Sequence, residues 1–161
     1  MSSKLPGVDA KAVSIITLGV RDLEKEVAFY EAMGWEHSPD SDDACHFMLS
    51  TNVVLGLLNH KKLAEEMLME VTEIPQYTGL LLSMNGASAE EVDAIYERAL
   101  AAGATSQQKP IWKDWAGNPG YSGFILDPEG YCWELAYAPH LRIGEDNRLL
   151  PTTQAEAKEK L

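Results

Sequence analysis

Apolar positions along this chain fall into two periods, and the alternation between them marks out the elements. Residues 13–20 are rich in β-branched side chains and long enough for one strand. Asp22 then stands where a helix N-cap belongs, and Leu23, Val27, Tyr30 and Met33 recur at helical spacing up to Gly34. A polar stretch, 37–44, reads as a loop or hairpin turn, followed by two strand-like runs, 45–49 and 52–58. The segment 60–71 predicts a helix packed through Leu63, Met67 and Leu68, and the Met67/Met69 pair also reads as packing.

The pattern then starts again. A turn around Pro75 leads into a strand at 79–84, and Ser88-Ala-Glu-Glu91 has the form of a capping box. The helix behind it buries Val92, Ile95, Tyr96 and Ala99 and closes at Gly103. A loop carrying Pro110, Gly117, Pro119 and Gly120 precedes a strand at 121–126, the turn Asp127-Pro-Glu-Gly130 and a last strand at 131–137. Aligning 14–20 with 78–84, and 47–57 with 124–135, shows one unit used twice. The expected fold is α+β: two βαβββ modules, about 13–60 and 78–138, whose mixed curled sheets enclose a cavity. Residues 1–12 and 152–161 read as polar tails around a single domain spanning 13–151.

Charge narrows the possible partners. The chain carries 25 acidic against 13 basic residues, a formal charge of −12, which repels phosphate backbones and argues against nucleic acid. Its apolar runs are too short to cross a bilayer, and its first twelve residues lack a signal peptide's apolar stretch, so a cytoplasmic protein is expected. Cys45 and Cys132 form no CxxC pair and read as reduced, buried thiols. No glycine-rich phosphate loop and no Ser/His/Asp arrangement is present.

Two stretches carry a family resemblance. Ile16-Thr-Leu-Gly-Val-Arg-Asp-Leu-Glu24 with Phe29-Tyr-Glu-Ala-Met-Gly-Trp35 resembles the opening of a vicinal-oxygen-chelate protein. Gly120-Tyr-Ser-Gly-Phe-Ile-Leu-Asp-Pro-Glu-Gly-Tyr-Cys-Trp-Glu134 is similar to that superfamily's closing hairpin. The run Trp133-Glu-Leu-Ala-Tyr-Ala-Pro139, with Leu150-Pro151, resembles an uncharacterised bacterial branch. The superfamily includes glyoxalase I, extradiol dioxygenases, fosfomycin-modifying enzymes and bleomycin-sequestering proteins, so fold alone fixes no reaction. Resemblance implies a homodimer.

It also implies a divalent metal, with ligands on the first and last strands of each module. Carried onto this chain those positions are Ile15, Gly56, Gly79 and Glu134, of which only Glu134 can coordinate. His37, His46, His60 and His140 show no ligand spacing, and His46 faces away if Phe47 faces inward. The sequence therefore predicts no metal site and no cofactor, although a divalent metal stays possible if the ligands lie elsewhere.

Strand alternation gives the cavity lining. If Glu134 faces inward, so do Cys132 and Ala136, and with them Ile15, Thr17, Gly19, Val54, Gly56, Leu58, Gly79, Leu81, Ser83, Ser122 and Phe124. Ligand contacts are assigned to Thr17, Phe47, Gly56, Ser83, Trp115, Ser122, Phe124 and Cys132. Glu134 is the candidate catalytic residue, since a carboxylate facing an apolar pocket gains proton affinity toward the range of a general base; the alternative is a structural carboxylate paired to a Tyr or backbone donor. Trp112 and Trp115 either close over a ligand or anchor a loop. The expected function is binding of a small, partly apolar organic molecule. A metal-dependent lyase, isomerase or dioxygenase and a non-catalytic dimeric interaction domain are the alternatives.

Overall fold

A computed structural model describes residues 13–146 and 148–150, so the two predicted tails lie outside the described residues. The first module comprises β1 (Ile15–Val20), α1 (Leu23–Ala32), β2 (Glu36–His37), β3 (Cys45–Leu49), β4 (Val54–Asn59) and the short α2 (His60–Glu66). The second comprises β5 (Leu81–Asn85), α3 (Ala89–Ala102), β6 (Thr105–Trp115), β7 (Asn118–Leu126) and β8 (Cys132–Tyr137). Each builds a four-stranded mixed sheet, β1-β4-β3-β2 and β5-β8-β7-β6, with the first pair parallel and the others antiparallel. This is the duplicated α+β architecture expected from the sequence.

Local chemistry sets the helix ends. The Asp22 side chain accepts from the Lys25 N–H at 3.1 Å, and Gly34, at φ +96°, takes the chain out of α1. In α3, Ser88 Oγ accepts from the Glu91 N–H at 3.1 Å, while the Glu91 carboxylate reaches back to the Ala87 N–H. Gly103, at φ +113°, ends that helix.

Three segments depart from the sequence expectation. The predicted loop before the seventh strand is β6, an eleven-residue edge strand hairpinned onto β7. Its register shifts between Ser106 and Ile111, which accommodates Pro110 where only one neighbouring strand needs backbone donors. Helix α2 stops at Glu66, and Leu68 sits at φ +56°. Met67, Leu68 and Met69 are therefore exposed at 57%, 94% and 61%, not packed. Strand β5 starts at Leu81, which leaves Gly79 in the preceding turn.

Helices and sheets share one core. Phe29 and Tyr30 of α1 and Val92, Tyr96 and Ala99 of α3 bury against Leu18, Leu55, Leu57, Leu82, Ile125, Trp133 and Leu135. The modules are joined by the turn between β7 and β8. Tyr30 donates to Asp127 Oδ2 at 2.8 Å, and Trp133 Nε1 donates to Tyr30 Oη at 3.0 Å. Glu129 accepts from the Asp22 N–H at 2.8 Å and from Arg21 Nε at 3.0 Å, and the Tyr131 hydroxyl donates to the Gly19 carbonyl at 2.7 Å. Asp127 Oδ1 takes the N–H groups of Glu129 and Tyr131, so with the Tyr30 hydroxyl this carboxylate has three donors. Beside it lies Glu26, fully buried, whose carboxyl oxygens meet no donor in good geometry and have the Asp127 carboxylate within hydrogen-bonding reach. Burial first, and the Asp127 charge second, push the Glu26 carboxyl up to about 10. Burial and the same charge also raise the Tyr30 phenol. No helix of the described residues is long and apolar enough to cross a membrane.

Candidate functional site

Strand pairing sets equivalent residues side by side on the sheet faces turned away from the helices. In the first module Thr17, Gly56 and Phe47 form one cross-strand row, and in the second Ser83, Glu134 and Phe124 form its counterpart. Gly56 thus corresponds to Glu134 and Phe47 to Phe124, as the sequence repeat indicates. The first strands are offset from that alignment: Ile15 pairs with Val54 as Leu81 pairs with Cys132, so Ile15 matches Leu81 and not Gly79. A two-residue shift preserves facing, because side chains alternate with period two.

The first-module row is sterically closed to a larger residue at Gly56, where an added β-carbon would lie 2.8 Å from Thr17 Oγ1. Gly19 is buried under α2, with His60 and Leu63 above it, and so does not line an open face. The second-module row is richer in chemistry. Glu134 is half-buried and shares its strand face with Cys132 and Ala136. Burial, then the Glu134 charge, pushes the Cys132 thiol up; burial first also raises the Cys45 thiol. Ser122 is fully buried beside Ala136, and its hydroxyl accepts from Lys113 Nζ at 2.9 Å. That ammonium also stands 4.4 Å from the centroid of the Phe124 ring.

Lys113 was hidden from the sequence because β6 reads as a loop; the alternation Ile111, Lys113, Trp115 is its signal in retrospect. Trp115 lies across Gly120, where an added β-carbon would meet its ring at 1.9 Å, and stands edge-on to His140 at 5.8 Å. Those contacts fix the β6–β7 hairpin. Trp112 is on the other face, against Tyr121 and Tyr137.

Within one chain these sheet faces are open. Ile15, Leu81 and Ile111 are 48%, 50% and 46% exposed, and a shallow recess forms at Tyr77, Gly79, Leu81 and Cys132. The larger hollow, about 420 Å³, lies between the modules on the helix side, with Ile16, Leu55, Leu82, Met84 and Trp133 in its walls. Of the residues assigned to the lining, Ser83 alone borders it.

The donor set does not fit a divalent ion. Across Ile15, Thr17 and Gly56 in one module and Leu81, Ser83 and Glu134 in the other there is one carboxylate and no imidazole. His37 and His46 pair with each other instead, Nε2 to Nδ1 at 2.8 Å, and His46 faces away from the Phe47 row. His60 opens α2 and His140 adjoins Trp115. No group of three metal-ligating side chains converges among the described residues.

No protein-family model matches this sequence, and no curated protein matches it either. Solved structures do. A glyoxalase-related enzyme from Fulvimarina pelagi is similar at 28% identity with a TM-score of 0.74, over 89% of this chain and 99% of that one. A glyoxalase/bleomycin resistance protein/dioxygenase family enzyme from Burkholderia phytofirmans is similar at 22% identity and TM-score 0.68, over 79% and 98%. A lactoylglutathione lyase from Agrobacterium tumefaciens is similar at 20% identity and TM-score 0.60, over 80% and 95%.

Proposed function

From the vicinal-oxygen-chelate fold that this chain has, we propose that it binds a small, partly apolar organic molecule on the open sheet face, without a resident metal. The observation that carries this reading is the row Ser83–Glu134–Phe124 with the Lys113 ammonium over the same ring. An apolar ring, a carboxylate and an ammonium on adjacent strands suit a ligand with a flat or branched apolar body and both a donor and an acceptor group. Phe124 would pack the body, Glu134 would accept from a ligand hydroxyl or amine, and Lys113 would donate to a carbonyl or carboxylate. Where such a ligand carries an acidic C–H beside its carbonyl, Glu134 would take the proton and Lys113 would stabilise the oxyanion.

A single chain leaves this face open, and its exposed apolar residues Ile15, Leu81 and Ile111 favour closure by a second copy of the chain. The free thiols Cys45 and Cys132 accord with a reducing, cytoplasmic setting. The test is a thermal-shift screen of small carbonyl and carboxylic compounds on wild type, followed by titration of each hit into Glu134→Gln and Lys113→Met. Each substitution is expected to weaken binding about tenfold, with unchanged circular dichroism, and hits are expected to shift the sedimentation coefficient toward the dimer. Hits whose affinity neither substitution alters would overturn the proposed site.

A further inference from the structure

The hollow between the modules belongs to neither sheet face. At about 420 Å³ it falls within the size range of small-molecule sites, roughly 300–1,000 Å³. Its walls are mostly apolar and come from both halves: Ile16 and Leu55 from the first sheet, Leu82, Met84 and Trp133 from the second, and Ile95 from α3, with Ser83 and Asn85 of β5 adding polar points. Its mouth is polar, formed by residues 50–52 between β3 and β4 and by Arg98 of α3.

Arg98 is exposed and makes no ion pair with another described residue. Its guanidinium is nonetheless placed: Nη1 lies 3.6 Å from the point where a Gly34 β-carbon would stand. Gly34 follows the C-terminal end of α1, whose last turn carries no basic residue. The negative end of that helix therefore lies close to the cation and favours its position beside the cleft. A guanidinium with no carboxylate partner among the described residues, at the rim of a largely apolar cleft, leaves that role to a ligand. The formal charge of −12 disfavours a polyanion there, which selects a single negative charge.

We propose that the inter-module cleft is a second binding site, for an amphipathic monocarboxylate whose chain packs against Leu82, Met84 and Trp133 and whose carboxylate meets Arg98. This site is independent of the sheet-face reading and shares no residue with its carrying row except Ser83, which touches the cleft at the edge of β5.

The test uses decanoate, decanol and decyltrimethylammonium, each titrated below its micellar range into the full chain labelled with ¹³C at the methionine methyls. Met33 and Met84 border the cleft, Met48 is sealed in the core, and Met67 and Met69 are exposed beyond α2. Decanoate is expected to shift Met33 and Met84 saturably, and to bind about tenfold more tightly than decanol or the cation. Arg98→Gln is expected to bring decanoate down to the level of decanol. Met84→Trp, which fills the cleft, is expected to remove both, with Ile95→Trp as the second filling variant should circular dichroism show the first to be unfolded. Equal affinity of the three probes, shifts confined to Met67 and Met69, or no saturable shift of Met33 and Met84 would overturn the proposal. None of these results bears on Glu134 and Lys113, so the two sites fail separately.

Discussion

Replacing Glu26 by Gln isolates the cost of one proton. The Glu26 carboxyl is fully buried against the Asp127 carboxylate, and burial first and that charge second push it up to about 10. In the unfolded chain it titrates at its ordinary value of 4.5. Between those two values the folded protein keeps a proton that the unfolded chain gives up, so stability is fully present below about pH 4.5 and falls as pH rises. The slope for one such group is about 1.36 kcal/mol per pH unit. From pH 5 to pH 8 the loss is therefore about 4 kcal/mol, and it does not depend on the upper value as long as that stays above 8. Glutamine is neutral throughout and has no such slope. Its buried amide costs about 1–3 kcal/mol if imperfectly bonded, which offsets the curve without tilting it. The assay is urea unfolding of wild type and Glu26→Gln at fixed protein concentration from pH 5 to 8, followed by tryptophan fluorescence. The stability difference between the two proteins is expected to change by about 4 kcal/mol across that range, in favour of the variant at high pH. Parallel curves, within about 1 kcal/mol, would refute a neutral Glu26 in the folded chain.

Tyr131→Phe removes the hydroxyl that reaches the Gly19 carbonyl at 2.7 Å and is expected to cost about 1–2 kcal/mol in chemical denaturation; an unchanged midpoint would count against that contact. Gly120→Ala drives a methyl into the Trp115 ring and is expected to cost about 1–3 kcal/mol, which Trp115→Ala in the same chain should largely relieve; additive costs would contradict the stacking. Elemental analysis of untagged protein after chelator dialysis is expected to find far less than one transition-metal ion per chain. One ion held per chain would place ligands where the described residues offer none.

What could be read from the sequence was local or periodic. Asp22 and Ser88 cap helices with their own side chains, and Gly34 and Gly103 end them through positive φ, so those boundaries need no tertiary knowledge. The repeat placed Gly56 opposite Glu134 because both sit in hairpins of similar length. The misplacement of Gly79 kept the facing of Leu81 and Ser83 correct only because the shift was two residues. Strand β6 was illegible because its side chains are mostly exposed and Pro110 interrupts it; pairing with β7, and not propensity, makes it a strand. Losing β6 also lost Lys113. Glu26, next to Lys25 in the charged first turn of α1, gives no sign of burial, since Asp127 and Glu129 beside it come from the second module. The same holds for the cleft at Arg98, which exists only once both modules are placed.

The turn that joins the modules has a consequence for synthesis. When β1 and α1 leave the ribosome, the Asp22 N–H, the Gly19 carbonyl and the Tyr30 hydroxyl all lack the groups that will satisfy them, because those groups belong to residues 127–131. At roughly 5–20 residues per second, the wait is on the order of 5–20 s. During that interval the N-terminal half presents the part of its apolar surface that the second module will cover. Its nascent form is the stage at which chaperones have the most to hold, and pausing before residue 127 would lengthen that exposure.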